Sequence, residues 1–403
     1  MFRRGDPRLI LFLTIFVAIL GLSVLFPVLA PLSVALGLRP DQVGWFSTIY
    51  SLMQVLTAPI WGRRSERVGR KPVLITGLLG YGISFAAFGV FAHLGLHHLL
   101  SGLPLFALLL LARGIGGSLS SATLPTAQAY MADLSDAGGR SAAMGMIGAA
   151  FGLGIVFGPA LGGLLSELGL LAPIYFSAGL ALLVALFAWK KLKESRPQGA
   201  ATRADYRPAL RFAVWTFLIT AALYTLASVG MEQTIGFYIQ DQLGLRGTAA
   251  VQNIAVILSI FGFSGAAIQG GAIRPLSRRF GQIKLIWAGL LIMAAGMFAV
   301  PATHSFLAIT SALILIAVGS SLIAPNLTAA ISLQVGPDLQ GTVAGMSSSA
   351  LGLGRMLGPV IGTTLFQTVS QGSPYLFSGG LLLALLLFSL LSAPALTLRA
   401  SHN

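Results

Sequence analysis

Cysteine is missing from all 403 residues. That excludes a disulfide framework, thiol chemistry and any metal site built on thiolates. Acids are scarce too: 11 Asp and Glu stand against 25 Lys and Arg, and charged residues make up only 9% of the chain. A soluble domain carries roughly 25% charged residues, so water is not this chain's main solvent. The phosphate-cradling Gly-x-x-x-x-Gly-Lys-Ser/Thr loop is absent, as are His-Glu-x-x-His and the nucleophile elbow. ATP hydrolysis, zinc proteolysis and serine-esterase chemistry therefore have no sequence basis. Neither an enzyme nor a cofactor is expected. His93, His97 and His98 cluster near one loop, but no acid or cysteine is close enough to complete a metal site. They read as a solvated loop, and no metal site is expected.

What the chain has in abundance is apolar. Hydrophobic residues reach 56% and the mean hydropathy is +0.86. A run of about 20 apolar residues crosses a bilayer as a helix. Breaking the chain at Pro, Gly and charge gives twelve such spans: 9–36, 43–62, 73–93, 104–132, 141–165, 172–193, 210–240, 248–273, 283–301, 305–331, 341–369 and 374–397. Phe2-Arg3-Arg4 precedes a run too long for a signal peptide, so that run reads as the first span. Between the sixth and seventh spans lies "ESRPQGAATRADYRPA", residues 194–209. It is polar, basic and broken by Pro197 and Pro208. The predicted fold class is an all-α membrane protein: a first six-helix bundle over 1–193, a cytoplasmic linker over 194–209 and a second bundle over 210–403.

The cations set an orientation. With the N-terminus inside, 21 of the 25 Lys and Arg fall on inner segments. Arg39 and Arg246 alone fall outside, and Arg113 and Arg355 lie within spans. Cytoplasmic loops hold the excess of Lys and Arg, so both termini are predicted cytoplasmic. The net charge of +14 is then a topology signal and an attraction to anionic lipid, not a nucleic-acid footprint.

The two halves echo each other. "GLGIVFGPALGGLL" (Gly152–Leu165) aligns with "GLGRMLGPVIGTTL" (Gly352–Leu365) at an offset of 200. Pro125 aligns with Pro325, Ser121 with Ser321 and Gly145 with Gly345 at the same offset. Six spans per half require a parallel repeat, one of the known transporter architectures.

These residues resemble the major facilitator superfamily. Its hallmark between the second and third helices is Gly-x-x-x-Asp-Arg-x-Gly-Arg-Arg/Lys; here it reads Gly62, Glu66, Arg67, Gly69, Arg70, Lys71, with Glu for Asp. The fifth span carries Gly154, Gly158, Pro159, Gly162 and Gly163, similar to the glycine-proline signature of twelve-helix drug:proton antiporters. Arg113-x-x-Gly116-Gly117 in the fourth span is similar to that branch's Arg-x-x-Gln-Gly.

The resemblance implies secondary transport by alternating access, with proton-coupled export of small amphipathic or drug-like compounds. A substrate-specific facilitator or symporter for a metabolite or organic anion is the alternative. It implies a multi-pass protein of a bacterial inner membrane, here taken as a monomer, with protons and a small-molecule substrate as partners. The Gly62–Lys71 stretch becomes a short loop with turns at both glycines. Its Glu66 could latch onto a helix N-terminus of the other half, a contact of about 0.3–2 kcal/mol, or the stretch could be a plain topogenic anchor. The fifth-span glycines become a tight seal between the halves, with Gly354, Gly358, Pro359 and Gly362 of the eleventh span as counterpart. Ordinary glycine packing is the other reading.

Charge inside the spans singles out three residues. A mid-bilayer charge costs at least about 2.5–3.5 kcal/mol, so it faces a cavity or a partner. Glu232 is the one acid clearly within a span, and Arg113 lies at similar depth. A dry cavity favours a protonated carboxyl and an arriving cation favours the carboxylate, which is what proton coupling needs. Alternatively, Glu232 merely solvates its helix at a watery mouth. Arg355 could brace the eleventh span, pair with Glu232 or bind an anionic substrate. Tyr50, Gln54, Tyr224, Gln233, Tyr238, Asn253, Gln269 and Asn326 are the candidate cavity liners that the fold resemblance implies.

Overall fold

The computed structural model describes residues 7–134, 140–194, 212–336 and 339–392, and among them the chain forms helices and no strand. In order these are α1 (Pro7–Ala35), α2 (Pro40–Val68), α3 (Arg70–Leu96), α4 (Gly102–Ser120), α5 (Thr123–Asp133), α6 (Arg140–Leu165) and α7 (Ala172–Lys191). Then come α8 (Phe212–Gln242), α9 (Gly247–Ala267), α10 (Ile273–Phe280), α11 (Gln282–Ala299), α12 (Phe306–Leu333), α13 (Gln340–Thr368) and α14 (Ser373–Leu391). Helices dominate because lipid offers backbone N–H and C=O groups no partner, so each segment must satisfy its own.

Prolines mark two breaks. Pro125 has no N–H for the Ser121 carbonyl, and α4 gives way to α5 there. Pro275 likewise leaves the Gly271 carbonyl without its donor, and the π turn Ile268–Ala272 takes up the mismatch between α9 and α10. α12 runs through Pro325 without a break.

The chain divides into two compact units, Met1–Ala201 with Gly244–Ser259, and Thr202–Leu243 with Ile260–Asn403. In the first, α1 packs along α6, α3 on α4 and α7, and α2 on α4. In the second, α8 packs along α13 and α14, and α11 on α12 and α14.

Among the described residues, ten helical segments are long and apolar enough to cross a membrane. α2 and α13 fall outside that set although each is 29 residues long. α2 carries Gln42, Gln54 and the charged stretch from Arg63 to Arg67, which lower its apolarity.

The Gly62–Lys71 stretch corrects the sequence reading. It is not a loop: α2 continues through Gly62 to Val68, the chain turns only at Gly69, and α3 starts at Arg70. Arg, Ser and Glu are compatible with a helix, and Gly62 takes ordinary helical backbone. Gly69 alone needs a positive φ, 103°. The predicted linker 194–209 lies outside the described residues except for Glu194.

Candidate substrate and proton site

α8 is held against α13 by glycine. A Cβ added at Gly354 would come 2.5 Å from the Ala222 carbonyl oxygen, at Gly358 2.7 Å from that of Leu226, and at Gly362 2.8 Å from that of Gly230. Gly230 returns the contact, its Cβ position lying 3.1 Å from the Gly358 carbonyl oxygen. Small residues let helices approach closely in lipid. In the first unit Gly154 meets Ile19, Gly158 meets Ser23 and Gly162 meets the Val24 carbonyl, all on α1. Gly154, Gly158 and Gly162 therefore lie along α1 of their own half. Gly163 points elsewhere, to Ala255 in the Gly244–Ser259 segment, where Gln252 Nε2 also donates to Glu167 Oε1 at 3.2 Å.

Pro159 and Pro359 sit inside these helices. Pro159 cannot donate to the Ile155 carbonyl. Ser23 Oγ donates there instead, at 2.9 Å.

The close α8–α13 approach sets the acid. Tyr224, Ser228 and Glu232 are spaced by four, so they share one face of α8. Ser228 Oγ donates to Glu232 Oε1 at 3.3 Å. Arg355, on α13, lies close enough for its charge to act on Glu232, and its Nε donates to the Leu351 carbonyl at 3.4 Å. The Tyr224 hydroxyl reaches Ser320 on α12. An acid, a cation and two hydroxyl-bearing side chains thus converge between α8 and α13, with α12 alongside.

The first unit buries Arg113. Its guanidinium lies 4.4 Å from the Tyr50 ring centre and 5.4 Å from that of Phe85. Among the described residues its Nε has no hydrogen-bond partner. Beside it, α2 and α4 bound a cavity of about 560 Å³ lined by Ile49, Met53, Ala107, Leu110, Leu111, Gly114, Ile115, Ser118 and Leu119. Only Ser118 in that lining is polar. The sequence reading looked for polar liners and passed over this apolar wall.

Several expected liners are committed elsewhere. Tyr50 is buried with its hydroxyl 2.7 Å from Ser120 Oγ. Gln54 stands beside the same hydroxyl. Tyr238 is buried and donates to the carbonyls of Val300 and Thr303 at 2.8 and 2.9 Å. Asn326 accepts from Ser277 Oγ at 2.9 Å and donates to the Leu322 carbonyl at 2.8 Å. Gln233 is buried on α8. Asn253 donates back to the Ala249 carbonyl at 2.9 Å, and Gln269 is exposed in the π turn. Of the eight, Tyr224 is the residue brought beside Glu232. Among the described residues no three His, Cys, Asp or Glu gather as a metal site.

The family model for the Major Facilitator Superfamily matches residues 11–352 and 252–401. The chain belongs to the Major Facilitator Superfamily. Multidrug resistance protein 1 of Bacillus subtilis is 27% identical over 383 residues, 94% of each chain. The class C tetracycline resistance protein of Escherichia coli is 31% identical over 336 residues, 81% of this chain and 80% of that one. A solved bacterial homologue of the human lysosomal transporter Spinster superposes with a TM-score of 0.72 at 18% identity, covering 98% of this chain and 97% of that one. The chain is thus a multi-pass integral membrane protein of a transporter superfamily, with multidrug and tetracycline resistance proteins among its relatives.

The superfamily's charged stretch is built from more acids than the sequence reading noticed. Glu66 and Arg67 are exposed on the last turn of α2. Arg70 is buried, with its Nε 3.3 Å from Asp133 Oδ2 and its Nη1 2.8 Å from Ser65 Oγ. Glu194 accepts from the Lys71 backbone N–H at 3.3 Å, an anion at the N-terminus of α3 where the helix dipole favours it. Tyr130 donates to the Lys193 carbonyl. Asp133 and Glu194 both sit at span ends in the sequence, next to this cation-rich face only once the chain is folded.

Proposed function

We propose that this chain is a proton-coupled exporter of small amphipathic compounds that works by alternating access. The single observation that carries it is Glu232: an acid inside a membrane helix, bonded by Ser228 and within the field of Arg355. Protonated, Glu232 is neutral and suits a dry site. Ionised, it needs a positive partner, and a cationic substrate and Arg355 are the two candidates. Exchange of a proton for a substrate at one carboxyl is the minimal antiport cycle. The apolar wall between α2 and α4 supports the substrate class, since apolar cavities with a few polar groups suit amphipathic ligands. The drug-resistance names of the relatives point the same way.

Twelve spans, two bundles related by a parallel repeat, cytoplasmic termini and a bacterial inner membrane complete the reading. The matched pairing of α1 with α6 and of α8 with α13 supports the repeat. The cation bias supports the orientation. The described inner-face contacts of Arg70 and Glu194 leave Glu66 free to serve as the latch between conformations.

The test is transport in proteoliposomes with an imposed pH gradient, wild type against Glu232→Gln. Gradient-driven movement in the wild type and none in the variant is expected. Transport indifferent to both would remove the antiport reading. One observation favours the facilitator alternative: Arg355 is exposed on α13, where it could bind an organic anion. Transport of an anion that survives Glu232→Gln and is lost in Arg355→Gln would select it.

A further inference from the structure

Ser228 breaks a habit of its own helix. A hydroxyl in a membrane helix ordinarily donates back to the carbonyl one turn earlier. On α8, Thr216 does so to Phe212 at 3.0 Å, Thr220 to Thr216 at 2.8 Å and Thr234 to Gly230 at 3.0 Å. Ser228 is turned the other way, forward to Glu232 Oε1 at 3.3 Å. It is 9% exposed, so its hydroxyl is withheld from water and given to the carboxyl.

We infer that Ser228 is a positioning residue for Glu232, fixing Oε1 as the permanent acceptor and leaving Oε2 as the oxygen that takes up and gives up the proton. This rests on the reading of Glu232 as the coupling acid. In the ionised state Ser228 donates to Oε1. In the protonated state the new O–H bond is on Oε2, Oε1 is the carbonyl oxygen and still accepts. Ser228 keeps its own proton throughout, so the proton is exchanged only between Oε2 and the cavity.

The surroundings leave Ser228 this task. From α13 the charged group facing Glu232 is Arg355; from α8 itself the titratable group is the neutral Tyr224. α12 brings Ser320, which meets Tyr224. α14 brings Ser378, whose hydroxyl donates to the Ala227 carbonyl at 3.5 Å. Of these side chains, only Ser228 has a hydrogen bond to the carboxyl in the structure. Fixing the carboxyl also fixes which oxygen faces Arg355 and substrate, without adding a charge to the membrane interior.

The experiment is an infrared pH titration of the purified full chain in detergent, following the carbonyl stretch of a protonated carboxylic acid. Wild type, Glu232→Gln, Ser228→Ala and Ser228→Thr are compared, so no substrate need be known. The other ten Asp and Glu carboxyls titrate in every variant, so the Glu232 band is read from the wild-type minus Glu232→Gln difference spectrum, which should hold one titrating carbonyl band. A hydrogen bond to the ionised form favours that form, so Ser228→Ala should move the midpoint to higher pH. Because Ser228 bonds both forms, the shift reads only the excess of the charge-assisted bond over the neutral one, roughly half to one pH unit. Ser228→Thr keeps the hydroxyl and should keep the wild-type midpoint. An unmoved midpoint in Ser228→Ala, or the same shift in both variants, overturns the positioning role while Glu232 remains the titrating acid. A difference spectrum with no titrating carbonyl band instead removes the coupling reading, and the positioning role with it.

Discussion

The guanidinium carbon of Arg113 lies 4.4 Å above the centre of the Tyr50 ring. A buried cation would ordinarily be matched by a carboxylate. Here the negative face of an aromatic ring takes that place, with Phe85 at 5.4 Å as a second ring. A desolvated cation–π contact is worth about 2 kcal/mol or more. Tyr50→Phe keeps the ring and loses only the hydroxyl contacts to Ser120 and Gln54. Tyr50→Leu removes the ring and uncovers the charge. Thermal unfolding in detergent should therefore place Tyr50→Phe close to wild type, within about 1 kcal/mol. Tyr50→Leu should fall by about 2–4 kcal/mol. Equal losses in the two variants would mean that the ring is ordinary packing.

The glycines divide into those that are needed and those that are not. A Cβ at Gly162 would sit 2.6 Å from the Val24 carbonyl oxygen, which is backbone and cannot move aside. At Gly152, nearly three turns away on the same helix, a Cβ meets nothing within 4 Å. Gly162→Ala should separate α6 from α1 and destabilise by about 1–3 kcal/mol. Gly152→Ala should stabilise by about 0.5–1 kcal/mol, because alanine is the better helix former. Opposite signs in the two melting shifts are the result to look for.

The same contrast explains what could be read from sequence and what could not. Hydropathy marks α1, α3, α7, α8 and α14 because lipid-facing and core-facing positions are both apolar there. The glycine spacing marks the close helix pairs but not their partners. Gly154 and Gly158 are four apart whether they face α1 or another unit, and only folding decides it. Gly62 and Gly69 look alike in the sequence, yet one is helical and one has φ 103°. Glu232 stood out because a lone acid in an apolar run is conspicuous. Ser228 did not, because serine is common in membrane helices and only its forward-turned hydroxyl distinguishes it. Polar candidates such as Tyr238 and Asn326 proved to be bonded within their own bundle.

Gly69 carries two independent demands. Its φ of 103° is strained for any side chain, and an added Cβ would collide with the Glu194 carboxylate. Gly62 has neither demand: its backbone is helical and its surroundings are open. Gly69→Ala should cost about 1–3 kcal/mol and release Glu194 from the start of α3. Gly62→Ala should be neutral or slightly stabilising. Expression level and melting temperature in detergent distinguish them, and a Gly62→Ala loss as large as that of Gly69→Ala would return this stretch to a two-turn loop.

Ser23 and Pro159 should behave as a pair. Proline withholds the N–H that the Ile155 carbonyl expects, and Ser23 Oγ supplies the substitute at 2.9 Å. Ser23→Ala leaves a carbonyl unsatisfied in the α1–α6 seam, a loss of about 1–3 kcal/mol. Pro159→Ala restores the helix's own donor and makes the serine redundant. In the Pro159→Ala background, Ser23→Ala should therefore cost only a few tenths of a kcal/mol to about 1 kcal/mol. A double-mutant cycle on melting in detergent measures that difference directly. If the two losses simply add, the serine is not compensating for the proline, and the Ile155 carbonyl must be satisfied from elsewhere in the seam.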